Sequence, residues 1–292
     1  MNDTTARYLD PTNDLCFKKI FSDEGRMMDF LNIMLRRGAQ DKIVEIVFIP
    51  TEQIPDFGLG KRSVFDLKCK DQQGNIFIVE MQKKTNKHFL NRTQYYACHT
   101  YVNQIQRGSL HEGLVPVILL AVCQERVFPD EVQCISYHRL REDTTKQSYL
   151  FSTSYVFIEL AKFSKTAEEL SSLEDDWLYF LSRTPEAKEP PAHIKDKQIL
   201  SAYEVVERFR YTAEEYDVYI RSRLAEEADM LALDERFEEG VERGRTEGIQ
   251  TGKIEGKIEV ARNLLASGVD VGLIVKVTGV SEEEIKGLVK DT

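Results

Sequence analysis

Residues 63–82 have the sequence SVFDLKCKDQQGNIFIVEMQ, the stretch that decides the fold of the first half of this chain. Two segments rich in β-branched and aromatic residues, 63–70 and 76–82, flank the turn-forming sequence Asp-Gln-Gln-Gly-Asn. Successive residues of a strand point to opposite faces. One face of the first segment therefore has Phe65, Leu67 and Cys69, and one face of the second has Ile76, Ile78, Glu80 and Gln82 against Phe77, Val79 and Met81. The stretch therefore predicts an antiparallel β-hairpin.

The hairpin places two acidic side chains next to each other. If Asp71 pairs with Asn75 across a three-residue turn, Asp66 lies directly opposite Glu80, and Gln82 shares the face of Glu80. Like charges opposite each other destabilise a sheet unless a cation neutralises them. Carboxylate oxygens are ligands that suit Mg²⁺ or Mn²⁺, and such an ion activates water for attack on a phosphodiester. The alternative is an ordinary solvated face of a hairpin.

The segments around the hairpin predict an α/β core with a mixed sheet. Asn13 stands before an apolar stripe, which is typical of a helix N-cap, and 114–123 is continuously apolar, as in a buried central strand. The predicted elements are a short helix ending near Phe21, helices over 24–36 and 86–106, and strands over 43–49, 114–123, 133–140 and 154–160. This order of helices, local hairpin and later strand is typical of a sheet covered by helices.

The second half of the chain has a different character. Charged helical sequence begins near residue 163, prolines at 185, 190 and 191 interrupt it, and 199–239 is rich in helix formers. We predict a core domain over 1–162, a helical extension over 163–239, a glycine-rich segment over 240–256 and a small helical module over 257–292.

Two features of the second half leave alternatives open. Glycines occupy every fourth position from 240 to 256, and each costs about 1 kcal/mol in a helix interior. This segment is either a helix that a partner helix approaches closely or a flexible, partly helical connector. The three short helices predicted over 257–292 fit either a helix-turn-helix or a packing module. Three glutamates, 282–284, begin the last helix and would face phosphates, so we favour the packing module.

The charge balance is uneven along the chain. Its 292 residues carry 39 Lys and Arg against 49 Asp and Glu, a net charge of −10, which by itself disfavours a nucleic-acid partner. Residues 1–140 sum to +1 and residues 141–292 to −11, whereas 61–107 carry nine basic and three acidic residues. The basic surplus therefore surrounds the hairpin.

Several protein classes are excluded by the composition. The five cysteines form no CxxC pair, the five histidines form no HExxH motif, and no P-loop sequence is present. No run of about 18 apolar residues occurs, and the first residues lack the features of a signal peptide. We expect a reduced, cytoplasmic protein with neither a membrane span nor a nucleotide cofactor.

The residues around the hairpin resemble a known family. The sequence RSVFDLK at 62–68, followed by IVEMQ at 78–82, resembles the PD-(D/E)xK nuclease superfamily. Glutamine at the usual lysine position is similar to its Rpn branch, the recombination-promoting nucleases and transposases. The blocks NDLCFKKIF at 13–21 and RTQYY at 92–96 are also similar to that family, and so are the glycine repeat and the terminal module. The resemblance covers nearly the whole chain and is densest over 10–125.

The resemblance implies a restriction-endonuclease-like core with a mixed central sheet, followed by a mostly α-helical C-terminal region. It also implies a Mg²⁺-dependent DNA endonuclease, with Mn²⁺ as an alternative ion, active in recombination, mobile elements or defence. The implied catalytic residues are Asp66, Glu80 and Gln82, and the implied metal ligands are Asp66, Glu80 and Asp14. The residues implied to contact DNA are Lys83, Lys84, Arg92 and Gln94, some of which would compensate for the missing lysine charge.

Two other functions remain open from the sequence. The first is a catalytically silent DNA-binding or regulatory member of the same fold. The second is a helical interaction protein in which the α/β domain is only a scaffold. Because cleavage of a duplex needs two cuts, we also expect a homodimer or higher homo-oligomer formed through the C-terminal helices.

Overall fold

The computed structural model describes residues 6–53, 63–64, 66–105 and 111–288. The predicted first hairpin strand, the basic segment and the helix over 86–106 include residues 61, 62, 65, 106 and 107, which lie outside the described residues. The chain divides into two compact units, residues 1–223 and 224–292. The predicted boundary at residue 162 lies inside the first unit.

The described part of the first unit contains eight strands and five complete helices, together with the start of a sixth helix. The strands are β1 (Ile46–Phe48), β2 (Glu52–Gln53), β3 (Ser63–Val64), β4 (Leu67–Asp71), β5 (Ile76–Gln82), β6 (Val117–Cys123), β7 (Ile135–Arg139) and β8 (Thr153–Glu159). The helices are α1 (Asp14–Phe21), α2 (Glu24–Met34), α3 (Phe89–Val102), α4 (Leu173–Arg183), α5 (Lys197–Val205) and α6 (Ala213–Ala266). Six of the strands form one sheet in the order β1-β4-β5-β6-β8-β7, and β2 pairs with β3 separately.

The sheet is mixed, as the sequence predicted. Strand β6 runs parallel to β5 and β8, whereas the pairs β1–β4, β4–β5 and β7–β8 are antiparallel. Every residue of β6 is buried, because helices cover both faces of the sheet and leave none of this apolar strand for solvent. The predicted fold class, an α/β core followed by a mostly helical C-terminal region, is confirmed.

The hairpin has the predicted register. Leu67 pairs with Val79 and Lys70 pairs with Ile76, so that the paired numbers sum to 146. The Asp71 amide donates to the Asn75 carbonyl at 3.1 Å. Gly74 in the turn has φ +84°, a left-handed conformation that glycine adopts without strain. The turn chemistry therefore fixes which residues of the two strands lie opposite each other.

Two clusters of buried side chains lie on opposite faces of the sheet. Phe77 and Val79 belong to the larger cluster, which includes residues of α1, α2, α4 and α5, whereas Ile76 and Ile78 pack with Phe89 of α3. This alternation along β5 is the predicted one. The larger cluster contains Trp177 of α4, so this helix shares the core of the sheet.

Helix ends in the first unit are set by short polar side chains. Asn13 caps α1, where its side chain accepts a hydrogen bond from the Leu15 amide at 3.1 Å. Asp23 caps α2 in the same way by accepting from the Arg26 amide. Such caps satisfy amides that have no partner within the helix and thereby fix where each helix begins. Helix α1, which carries Asp14 in its first turn, is positioned in this manner.

The second unit consists of the remainder of α6 followed by α7 (Val271–Thr278) and α8 (Glu282–Leu288). The glycine-rich segment is helical along its whole length, and its pairing with a partner helix stays a prediction. Helix α7 ends at Gly279, which has φ +72°, and Ser281 and Glu284 form the predicted capping box at the start of α8. A small core of Ala261, Ile274, Val280 and Ile285 holds the three helical segments together.

Among the described residues, no helix is both long enough and apolar enough to cross a membrane.

Candidate active site

The predicted acidic pair lies at the end of the hairpin away from its turn. Asp66 immediately precedes β4, and continuation of the hairpin register places it opposite Glu80 of β5. The Met81 amide donates a hydrogen bond of 2.7 Å to Oδ2 of Asp66. One oxygen of this carboxylate is thereby held by the backbone of the neighbouring strand. The other oxygen faces a different partner, described below.

Glu80 is a partly buried carboxyl group with an unusual environment. Its Oε1 is buried and has no hydrogen-bond partner among the described residues. Burial, together with the negative charge of Asp66, raises the pKa of Glu80 to about 8, although the charges of Arg92 and Lys18 act in the opposite direction. A buried carboxylate oxygen without a partner is costly unless it holds a proton or contacts a cation. Glu80 thus has the properties expected of a protonated acid or of a metal ligand.

Helix α1 brings a lysine to the acidic pair. The Lys18 ammonium lies 3.6 Å from Oδ1 of Asp66 and 2.7 Å from Oδ1 of Asp14, one helical turn earlier. Burial nevertheless raises the pKa of Asp66, because desolvation outweighs the Met81 amide and the Lys18 charge. The Lys18 ammonium therefore bridges the carboxylates of Asp14 and Asp66.

The amide of Gln82 is held from both sides. Its nitrogen donates to the Lys84 carbonyl, and its oxygen accepts from the Arg92 guanidinium of α3. The same guanidinium lowers the pKa of Glu80. The neutral side chain of Gln82 in β5 is therefore hydrogen-bonded to a cation, Arg92, that belongs to α3.

The remaining residues predicted to bind DNA are placed in different ways. The Lys83 ammonium forms an ion pair of 2.9 Å with Asp10, so its charge is partly neutralised within the protein. Lys84 is half-buried and follows Glu80 by four residues in the sequence. Gln94 donates to the Leu90 carbonyl at 3.1 Å, one turn earlier in α3. Of the four predicted residues, Arg92 has the clearest link to the acidic pair, because its charge lowers the pKa of Glu80 and it donates a hydrogen bond to Gln82.

The sequence reasoning missed two side chains near this site. Lys18 was not selected, although its position four residues after Asp14 is a recognisable helical charge pair. Tyr96 of α3 was not selected either. Its pKa is raised mainly by burial, with further contributions from the charges of Glu80 and Asp66. No sequence signal distinguishes Tyr96 from the neighbouring tyrosines.

The residues at this site fit a divalent cation through two carboxylates. Within the described ranges, no group of three or more His, Cys, Asp and Glu side chains is arranged to hold a metal ion. The fit therefore rests on Asp66 and on the orphaned Oε1 of Glu80, completed by backbone carbonyls and water, which are ligands that Mg²⁺ accepts readily. Asp14 as a third ligand stays a prediction.

The structure is that of an α/β protein with a mixed sheet, in which an acidic residue of β5 and another directly before β4 lie near a glutamine and an arginine. Residues 11–234 match the family model described as "PD-(D/E)XK nuclease family transposase". Because this match covers most of the chain, the chain belongs to that family. The predicted membership is confirmed.

The C-terminal module has its own match. Residues 255–290 match the model described as "Rpn/YhgA-like nuclease family, C-terminal HTH domain", which agrees with the predicted Rpn resemblance. For this module the match favours the helix-turn-helix over the packing module that the sequence analysis preferred. Neither a curated protein nor a solved structure was found to match the chain.

Proposed function

We propose that this chain is a metal-dependent DNA endonuclease that hydrolyses phosphodiester bonds, with Mg²⁺ or Mn²⁺ held by Asp66 and Glu80. The observation that carries the proposal is the orphaned Oε1 of Glu80 opposite Asp66. A protein rarely leaves a buried carboxylate oxygen without a partner next to a second carboxylate unless a ligand completes the site. Family membership supports the same reaction class.

Each residue of the site has a role in this proposal. The Met81 amide orients Asp66, and the hairpin register holds Glu80 next to it. A bound divalent ion supplies Lewis-acid chemistry, because it polarises a phosphate oxygen and lowers the pKa of bound water. In the absence of the ion, Glu80 retains a proton near neutral pH, which limits the repulsion between the two acidic groups.

Positive charge for the transition state comes from Arg92 and Lys18 in this proposal. The phosphorane that forms during hydrolysis carries more negative charge than the ground state, and fixed cations stabilise it. Gln82 is neutral, but it anchors the Arg92 guanidinium by accepting its hydrogen bond. The two cations approach the acidic pair from α3 and from α1, respectively.

DNA is the proposed substrate. The surplus of basic residues around the hairpin provides phosphate contacts, and the helix-turn-helix match supports a nucleic-acid partner. Glutamates 282–284 form the first turn of α8 and would repel phosphates there, so the proposed DNA contacts lie mainly in the nuclease core. We extend the proposal to a cytoplasmic homo-oligomer that acts in recombination, transposition or defence.

A plasmid nicking assay tests the proposed reaction. Supercoiled plasmid is incubated with the native chain, with Asp66→Asn or with Glu80→Gln, in Mg²⁺, in Mn²⁺ and in EDTA. Asp130→Asn serves as the control, since Asp130 is an exposed acid paired with Arg126. We expect nicking by the native chain and the control only, and only with a divalent ion. Equal nicking by all four proteins would reject the assigned residues.

Calorimetric titration with Mn²⁺ separates this function from its rivals. Nicking by the native chain, together with Mn²⁺ binding that the substitution Glu80→Gln abolishes, supports the nuclease. DNA binding without nicking by the native chain would indicate the catalytically silent alternative. Absence of both Mn²⁺ binding and DNA binding would favour the helical interaction protein.

A further inference from the structure

The part of α6 in the second unit exposes large apolar side chains along one face. Met230, Leu233, Phe237 and Val241 are all exposed, and the Phe237 side chain is 72% accessible. Their spacing of three and four residues places them on one side of the helix. A face of this composition is normally covered by another helix.

Glycines continue the same face toward the C-terminal end of α6. Gly244, Gly248 and Gly252 follow Val241 at spacings of three and four residues, and a Cβ placed on any of them would meet no atom within 4 Å. Each glycine costs about 1 kcal/mol within a helix relative to alanine. Since long helices are stabilised mainly by packing and not by propensity, this segment needs a partner that packs against it. The exposed apolar residues next to the glycines indicate where that partner lies.

The charges along α6 identify the partner as a second copy of this helix in the opposite direction. Residues 224–242 carry eight acidic residues and one basic residue, whereas 243–262 carry five basic and three acidic residues. Two copies in parallel would align their acidic halves and repel each other. In the antiparallel orientation each acidic half lies against the basic half of the other copy, which is the favourable arrangement.

Side-chain sizes along the face match in the same orientation. If the twofold axis passes between residues 242 and 243, Val241 of one copy lies opposite Gly244 of the other. Phe237 then lies opposite Gly248, and Leu233 lies opposite Gly252. Leu233, Phe237 and Val241 thus each meet a glycine, where the absence of a Cβ leaves room for the side chain. We propose that α6 forms an antiparallel homodimer through this face, in which Phe237 packs on Gly248 of the second copy.

This proposal does not depend on nuclease activity, and its test measures the oligomeric state alone. Sedimentation equilibrium of the full chain at micromolar concentration is expected to give a mass twice that of the chain. A monomer under these conditions, as expected if the face binds an unrelated protein, would overturn the proposal. Far-UV circular dichroism checks that every variant retains its helix content.

Substitution by glycine separates the proposed face from the rest of α6. Phe237→Gly is expected to raise the dimer dissociation constant about 30-fold or more, as for a buried aromatic anchor. Leu231→Gly is the matched control, because Leu231 is 65% accessible and lies about 120° around the helix axis from Phe237. Leu231→Gly costs at least as much helix propensity as Phe237→Gly, because leucine is the better helix former. An equal loss of dimer in both would show that helix stability, and not this face, drives association.

A reciprocal exchange tests the orientation and register. Gly248→Phe alone places two bulky side chains opposite each other and is expected to weaken the dimer. The double variant Phe237→Gly with Gly248→Phe has the native composition and exchanges the positions of the large side chain and the glycine. In the antiparallel register, the dimer dissociation constant of the double variant is expected to lie within about threefold of that of the native chain. A double variant as weak as the single ones would reject this register.

Discussion

The guanidinium of Arg92 in α3 donates a hydrogen bond to the side-chain oxygen of Gln82 in β5. The resemblance of IVEMQ at 78–82 to the superfamily's motif implies that Gln82 replaces its usual lysine. Because the amide nitrogen of Gln82 donates to the Lys84 carbonyl, the amide cannot rotate without losing both contacts. The neutral side chain therefore helps to fix the position of a cation that α3 contributes.

Arg92→Met is expected to slow plasmid nicking by about 100-fold, a loss comparable to that of one transition-state donor. The substitution keeps an unbranched side chain of similar length but removes the charge and the hydrogen bond to Gln82. Initial nicking rates at saturating Mg²⁺ measure the effect. Arg126→Met is the control, since Arg126 is exposed and forms a local ion pair with Asp130. Rates that are equal in both variants would remove Arg92 from the site.

Lys18→Met is expected to change cleavage and metal binding in opposite directions. Loss of the ammonium 3.6 Å from Asp66 leaves that carboxylate more attractive to Mn²⁺, so its affinity should rise several-fold, while nicking slows about 10-fold or more. Titration calorimetry and nicking rates measure the two effects. In the control Lys19→Met, the neighbouring lysine that pairs with Glu215 is removed. Weaker Mn²⁺ binding by Lys18→Met would contradict this role.

The hairpin and the acidic pair could be predicted from sequence because local chemistry determines them. The turn residues Asp71 and Gly74 fix the register, and the register places Asp66 opposite Glu80. The strict alternation of the strand also identified which apolar residues enter each cluster. All of this information lies within 20 residues of sequence, so no knowledge of tertiary packing was needed.

The cations at the site and the extent of the core could not be predicted in the same way. Lys18 reaches Asp66 only because α1 packs next to the hairpin, and 48 residues separate the two in sequence. Trp177 of α4 contacts Phe21 and Phe30 in the main core, although more than 140 residues separate it from both in sequence. Because α4 carries charged residues on one side, the packing of its apolar side in the core of the sheet was not recognised from the sequence. Tertiary packing, which composition does not specify, decided these features.

Glu80→Gln is expected to stabilise the metal-free first unit at alkaline pH. The folded-state pKa of Glu80 is about 8 against an ordinary value of 4.5, so between these values the folded chain keeps a proton that the unfolded chain has released. Folding stability contributed by this group therefore falls as the pH rises from about 4.5 to 8. Glutamine does not titrate, and its advantage should grow to about 4–5 kcal/mol by pH 8.5, as linkage gives for pKa values of about 8 and 4.5.

Urea unfolding in EDTA at pH 5 and pH 8.5 measures this difference, with the fluorescence of Trp177, the single tryptophan, as the probe. Glu112→Gln, at an exposed glutamate, is the control and should show no such trend. Addition of Mg²⁺ at pH 8.5 should stabilise the native chain but not Glu80→Gln. A constant difference between the native chain and Glu80→Gln at the two pH values would contradict a raised pKa.

Asp29→Ala is expected to destabilise the first unit by about 1–3 kcal/mol, the cost of a buried donor without a partner. The indole nitrogen of Trp177, a fully buried residue, donates to Oδ2 of Asp29 at 2.8 Å. Burial raises the pKa of Asp29, so a neutral acceptor of the same shape should replace it with little loss. The free energy of unfolding of Asp29→Asn is therefore expected to lie within about 1 kcal/mol of that of the native chain. Urea midpoints measured by circular dichroism test both variants, because the substitutions alter the environment of the indole itself. If Asp29→Asn were as unstable as Asp29→Ala, the charge of Asp29 and not its hydrogen bond would be the stabilising feature.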